Sequence, residues 1–347
     1  MKSIHKTLLT LIIAIITFLI IMGLLSFKIL GSALRNQAKN HLVSVREIKK
    51  TQIQNFFRER YGDINILSKS PLIMQSLPAF ASAFKEGGFD NPLYKQTEKD
   101  YGYLFVHFMT QHGYQNIYLA DEEGFLVYGV KKDTLLGVNL KSRDFISAKI
   151  NEVFSEGLTR LNFSDLTFNT KTKDFMCLGA SPVYDNTNTL LGVVIVEISY
   201  SKLDTIVSQW DGLGKTGEIY IIGEDKLMRS KSRFLKENTI LKKEIDTKAS
   251  RDVLKGNTYI QLVKDYRNLP VLSAYTPLDG LRDVKWYLLV EIDEKEVLHP
   301  FGVLESYLVV IAAAIIIISI AFHLITRKKS PGIKFLPPSS SNSINEG

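Results

Sequence analysis

The chain has 347 residues, a formal net charge of +7 and one cysteine. That length suits two domains, and the lone Cys177 excludes a scaffold of internal disulfides. Residues 1–30 and 326–347 each carry a net +3, leaving +1 for everything between. The basic balance therefore belongs to the ends and gives no footing for nucleic-acid binding.

Those ends flank two apolar runs. Leu8–Phe27 holds twenty residues without a charge and Tyr307–Ile325 holds nineteen. Each is long enough to cross the ~30 Å hydrocarbon core as a helix, which predicts transmembrane helices over 8–30 and 304–326. A cleaved signal peptide is the competing reading of the first run, with Gly31-Ser32-Ala33 as a small-residue site. Its apolar core exceeds the ~7–15 residues of such signals, so an uncleaved anchor is expected. Lys2 and Lys6 at one end and Arg327-Lys328-Lys329 at the other fit the cytoplasmic side, which leaves residues 31–303 outside. Residues 1–7 then form a cytoplasmic N-terminus. The Pro- and Ser-rich residues 327–347 form a short disordered tail, too small for a packed domain.

Residues 31–69 predict one long amphipathic helix, with Leu34, Ala38, Leu42, Val45, Ile48, Ile53, Phe56, Phe57, Ile64 and Leu67 at three- and four-residue steps. Two readings of that stripe stay open: a face packed on the chain's own sheet, or a dimer seam and signal rod. Helical stretches follow around 72–84 and 93–110, separated by a loop at Gly87-Gly88. Strands are expected in QNIYLA, GFLVYGV, LNFSDLTF, DFMCLGASPVY and LLGVVIVEI, with a short helix in DFISAKINEVF. A connector at 201–212 leads to a second set: EIYIIG, LMRSKSRF, a charged helical stretch, TYIQLVKDY, LPVLSAYTPL and KWYLLVEI.

The two sets are related. Asn116-Ile-Tyr-Leu-Ala-Asp aligns with Glu218-Ile-Tyr-Ile-Ile-Gly at an offset of 102. Pro182 precedes Glu197 by 15 residues, and Pro277 precedes Glu291 by 14. Two landmarks in the same order predict two copies of one α+β, PAS-like unit.

Catalytic readings fail on spacing. Gly214-Lys215-Thr216 imitates the end of a phosphate-binding loop, but Gln209 stands where that loop needs glycine. His107 and His112 are five apart and point to different helix faces, and the six histidines show no metal spacing. No nucleophile motif is present. The expectation is a protein that is not an enzyme and needs no cofactor or metal.

The order of long helix, GFLVYGV, LGVVIVEIS, GLGKTGEIYIIGEDKLMRSKSRF, KDYRNLPVLSAYTPL and WYLLVEID resembles the double Cache (dCache) sensor domains of bacterial transmembrane receptors, notably methyl-accepting chemotaxis proteins. The resemblance covers roughly Leu34 to Leu304. It implies an α+β fold of two tandem PAS-like (Cache) modules on a long N-terminal helix: a membrane-distal module over 70–200 that holds the ligand, and a membrane-proximal module over 213–303. It also implies a bacterial inner (plasma) membrane location with the sensor outside. The partners implied are a small solute, the membrane, and a second copy or a full-length receptor in a homodimer or heterodimer. With only residues 326–347 after the second run, the expectation is a sensor without its own transmitter. A membrane-tethered solute-binding or scaffold protein without a signalling role is the alternative.

A solute pocket needs an apolar floor and a few convergent polar groups. Tyr118, Tyr128, Arg143, Phe145, Asp165 and Glu197 are the candidates in the first module. An arginine facing a carboxylate and an acid facing an amine would recognise an amino-acid-like molecule or an organic acid. Amino-acid-sensing dCache members are similar in using an Arg followed two residues on by a Trp; here Phe145 stands in the Trp position, and Glu197 where an Asp is usual.

Overall fold

A computed structural model describes the backbone of residues 2–142, 148–170 and 172–328. Residues 36–297 form one compact unit, and the two ends of the chain form another. Helix α1 (Lys2–Ser68) is unbroken, as a stretch without proline allows. Pro71 opens α2 (Pro71–Gly87) at its first turn, where a missing N–H costs nothing. Asn91 caps α3 (Pro92–His112) by accepting a bond from Leu93 N at 2.9 Å. Gly113 ends α3 in the left-handed conformation at φ 70°.

The runs 8–27 and 307–325 lie within α1 and α8 (His299–Lys328). Many side chains there fall outside the described residues. Among the described residues no helix is long and apolar enough to cross a membrane.

The first module's sheet is antiparallel throughout. It comprises β1 (Tyr114–Asp121), β2 (Leu126–Gly129), β3 (Asn162–Phe163), β4 (Thr167–Asn169), β5 (Asp174–Tyr184) and β6 (Leu190–Ser199). The order is β2-β1-β6-β5-β3, with β4 also on β5, and α4 (Ala148–Gly157) lies before β3. The expected single strand over 161–168 is split. Ser164 Oγ accepts from Leu178 N at 2.9 Å, and Asp165 turns its side chain away to Arg229, so the ladder breaks between β3 and β4. After α5 (Ser201–Val207) come β7 (Glu218–Gly223), α6 (Lys248–Val253), β8 (Tyr259–Lys264), β9 (Pro270–Pro277), β10 (Trp286–Asp293) and α7 (Glu294–Val297). The second sheet runs β7-β10-β9-β8. LMRSKSRF makes only the isolated bridges Met228 to Ile222 and Leu227 to Glu244, not a strand. The charged helical stretch reduces to α6, opened by a reciprocal Thr247–Ser250 capping box.

The internal repeat is present in the pairing itself. Asn116 sits opposite Glu197 across β1 and β6, and Glu218 opposite Glu291 across β7 and β10. One face of each sheet packs on α1, α2 or α3 in a shared core. There Leu42, Ile53, Phe56, Phe57, Ile64 and Leu67 of the α1 stripe are buried. The stripe is thus largely consumed by the chain's own sheets, while Ile48 remains exposed. Each opposite face has its own cluster, one built on Tyr118, Leu178 and Ile195 and the other on Tyr220, Tyr275 and Leu289.

Candidate functional site

Period-two alternation puts Asn116, Tyr118 and Ala120 of β1 on the face away from the helices, together with Glu197 and Ile195 of β6 and Leu178 of β5. Asn116 fixes the loop above. Its Oδ1 accepts from Lys131 N at 2.9 Å and its Nδ2 donates to Lys131 O at 3.1 Å. That anchor brings Asp133 over the sheet. The Tyr118 hydroxyl lies 2.5 Å from Asp133 Oδ2 and 3.3 Å from Glu197 Oε1. Gly129, paired with Tyr118, is needed for the fit, because a Cβ there would lie 3.0 Å from the Tyr118 ring and 3.1 Å from Leu136.

Glu197 is buried and its carboxyl is pushed up to about 7, first by desolvation and then by the neighbouring Asp133 charge. A phenol carries one proton. With that proton committed to Asp133, the contact to Glu197 is a hydrogen bond only when Glu197 is protonated and donates. The cluster is an acidic pair sharing one hydroxyl, and it suits a cationic head group that would supply the missing donors.

The other candidates fall elsewhere. Tyr128 pairs with Leu119, not Tyr118, so it faces the helices, stacking on Phe80 at 4.3 Å and tilting against Phe105 at 5.2 Å. It belongs to the shared core. Asp165 accepts from Arg229 Nε at 3.0 Å, Arg229 Nη2 at 2.7 Å and Trp286 Nε1 at 2.7 Å. Burial alone would raise its carboxyl, but Arg229 and Trp286 hold it below the ordinary range. It clasps the first module to the second. Arg143 and Phe145 lie outside the described residues. Asp133 went unpredicted, since nothing local marks a loop acid that reaches a strand 15 residues earlier.

The second module repeats the arrangement with more acid. Glu218 accepts from Tyr266 Oη and Arg233 N, both at 2.7 Å, and Glu291 Oε1 accepts from Ser273 Oγ at 2.7 Å. Among the described residues, Glu291 Oε2 and the Tyr220 hydroxyl, both buried, make no well-formed hydrogen bond. Burial, then the nearby Asp265 and Glu218 charges, push Glu291 up to about 8. Among the described residues no group of His, Cys, Asp and Glu could hold a metal ion. Cys177 is buried, and desolvation pushes its thiol well above the ordinary range.

No curated protein matches the chain. Among solved structures, the ligand-binding domain of the Campylobacter jejuni chemoreceptor Tlp3 in complex with 4-methylisoleucine is 14% identical at a TM-score of 0.54, covering 76% of this chain and 94% of that one. The sensory domain of the same receptor in another structure is 13% identical at 0.53, covering 77% and 98%. The ligand-binding domain of the Pseudomonas aeruginosa amino acid chemoreceptor PctC in complex with GABA is 16% identical at 0.48, covering 74% and 99%. At such identities the likeness is one of fold. The family model of the Cache domain matches residues 29–301, which take in both sheets and the helices before them. This chain therefore belongs to the Cache domain family, in its double (dCache) form.

Proposed function

We propose that the chain is the extracytoplasmic sensor of a bacterial membrane receptor and that it binds a small amine-bearing solute, an amino acid or a close relative, in the first module. The observation that carries this reading is the Tyr118–Asp133–Glu197 cluster, in which Tyr118 and Glu197 are buried and Asp133 is half-buried. Two carboxylates on one hydroxyl leave acceptors that an ammonium group would satisfy. The Cache domains of chemoreceptors are ligand-binding rather than enzymatic modules, in line with that use. Tlp3 was solved with 4-methylisoleucine, which is amine-bearing.

A binding-assay series on the full chain in nanodiscs tests the site. Amino acids and short amines raise the melting temperature, and neutral or purely acidic analogues do not. Glu197→Gln and Asp133→Asn each weaken the best ligand by about 2 kcal/mol or more, the cost of removing one partner from a buried charge pair. Unchanged affinity in both variants would remove the cluster from the site.

In the same reading, the sequence runs 8–30 and 304–326 anchor the chain in the inner membrane, with the sensor outside and both basic flanks inside. The solute favours one of two arrangements, and the change leaves through α1 and α8 toward a second copy or a full-length receptor. A reporter fused after Ile333 reads cytoplasmic and one inserted between Gly87 and Gly88 reads external; both on one side would overturn this topology.

A further inference from the structure

A cleft of about 220 Å³ lies where three parts of the 36–297 unit converge: α1, strand β3 and the loop between β9 and β10. Its floor is apolar, made by Phe57, Phe163 and Leu281, each no more than 5% exposed. Its walls are cationic and aromatic, from Arg58, Tyr61 and Arg282. The loop is held against α1 by Gln54 Nε2 donating to Asp279 O at 2.7 Å and by Lys50 Nζ at 3.1 Å from Asp279 Oδ2.

The charges around this cleft do not cancel. Asp279 is taken by Lys50, Asp283 by Arg160 at 2.6 Å, and Glu59 by Arg60 and Lys202. Arg58 donates to Asn55 Oδ1 at 2.6 Å, a neutral partner. The Arg282 guanidinium carbon lies 3.8 Å from the centre of the Tyr61 ring, again without an acid among the described residues. Arg282 holds φ 56°, a left-handed backbone that an arginine adopts only at a cost. That residue sets its guanidinium over the Tyr61 ring, in the lining of the same cleft as the apolar floor. Strain of this kind concentrates at ligand clamps.

We propose that this cleft is a second binding site, separate from the Tyr118–Asp133–Glu197 cluster, for a small monocarboxylate with a flat apolar body of about benzoate's size. The carboxylate pairs with Arg58 and Arg282, and the ring lies on Phe57, Phe163 and Leu281. A planar guanidinium matches a carboxylate in two parallel bonds, which a neutral or cationic group of the same shape cannot offer. Because the lining of the cleft comes from α1 and from both modules, an occupant bridges all three and favours the arrangement in which they are closed on one another. Solute identity in the first module and anion occupancy here then act on the same helix.

Benzoate, benzyl alcohol and benzylamine are the probes, titrated into the full chain in nanodiscs by calorimetry. Benzoate is expected to bind saturably, with the alcohol and the amine at least tenfold weaker. The double variant Arg58→Gln, Arg282→Gly loses at least tenfold in benzoate affinity and keeps its melting temperature; glycine accepts the positive φ, so the backbone is undisturbed. Glu197→Gln binds benzoate as the unaltered chain does. The proposal is overturned if benzoate does not saturate, if the double variant binds it undiminished, or if Glu197→Gln abolishes its binding.

Discussion

Arg229→Ala is expected to lower the unfolding free energy by about 3 kcal/mol and the melting temperature by about 6–12 °C. The guanidinium is 4% exposed and sits in space that Gly223 leaves open, since a Cβ on Gly223 would fall within 2.7 Å of three guanidinium atoms. It bonds Asp165 through two nitrogens, Asp225 at 2.9 Å and Leu227 O at 2.9 Å. Removing it leaves the Asp165 carboxylate with Trp286 and a backbone N–H but without its counter-charge. Asp165 keeps 31% of its side chain exposed, which is why the lower end of the range for broken buried pairs applies. The double variant Asp165→Leu, Arg229→Met should recover part of the loss, because an apolar pair is not penalised for burial. Chemical denaturation of the unaltered chain and of these two variants measures it. A cost below about 1 kcal/mol for Arg229→Ala would show that the clasp does not hold the modules together.

The second large effect is a fall in stability as pH rises from about 5 to about 8. Glu291 is pushed up to about 8 and Glu197 to about 7, from an ordinary value of 4.5. Glu218, facing Glu291 across the β7–β10 ladder, is raised as well, chiefly by burial. Below pH 4.5 these groups hold their protons folded or unfolded, and the stability they permit is fully present. Above it the unfolded chain releases protons that the folded chain keeps. Each such group then costs the fold about 1.4 kcal/mol per pH unit until its folded pKa is passed. Asp165, held below its ordinary value, acts oppositely and only in acid. Glu291→Gln should remove much of the alkaline slope and raise stability at pH 8. A glutamine oxygen still accepts from Ser273 Oγ, and its amide can donate toward the Tyr220 hydroxyl. Melting temperatures across pH 5–9 for both proteins decide it; parallel profiles would mean that Glu291 is not the group that titrates.

What the linear chain determined by itself was whatever depends on residues close together or on a repeat. The continuous apolar run in LLGVVIVEI made a central buried strand, and the closely matched spacing of Pro182–Glu197 and Pro277–Glu291 became two sheets with the same cross-strand pairs. Tyr118 and Glu197 met because both positions follow from strand phase. Tyr128 lies on the neighbouring strand, but the β1–β2 pairing sets it opposite Leu119 and turns its ring to the helices. Asp165 and Arg229 are 64 residues apart, and only the packing of one module on the other brings them together. Asp133 reaches its site because Asn116 pins the loop that carries it. The α1 stripe could serve a dimer or its own sheets with equal helical period, and burial of Ile53, Phe57 and Ile64 shows how much of it the sheets take. Periodicity says which face of an element is apolar. What that face or loop touches is a long-range choice set by total burial and charge pairing, and only the tertiary structure makes it.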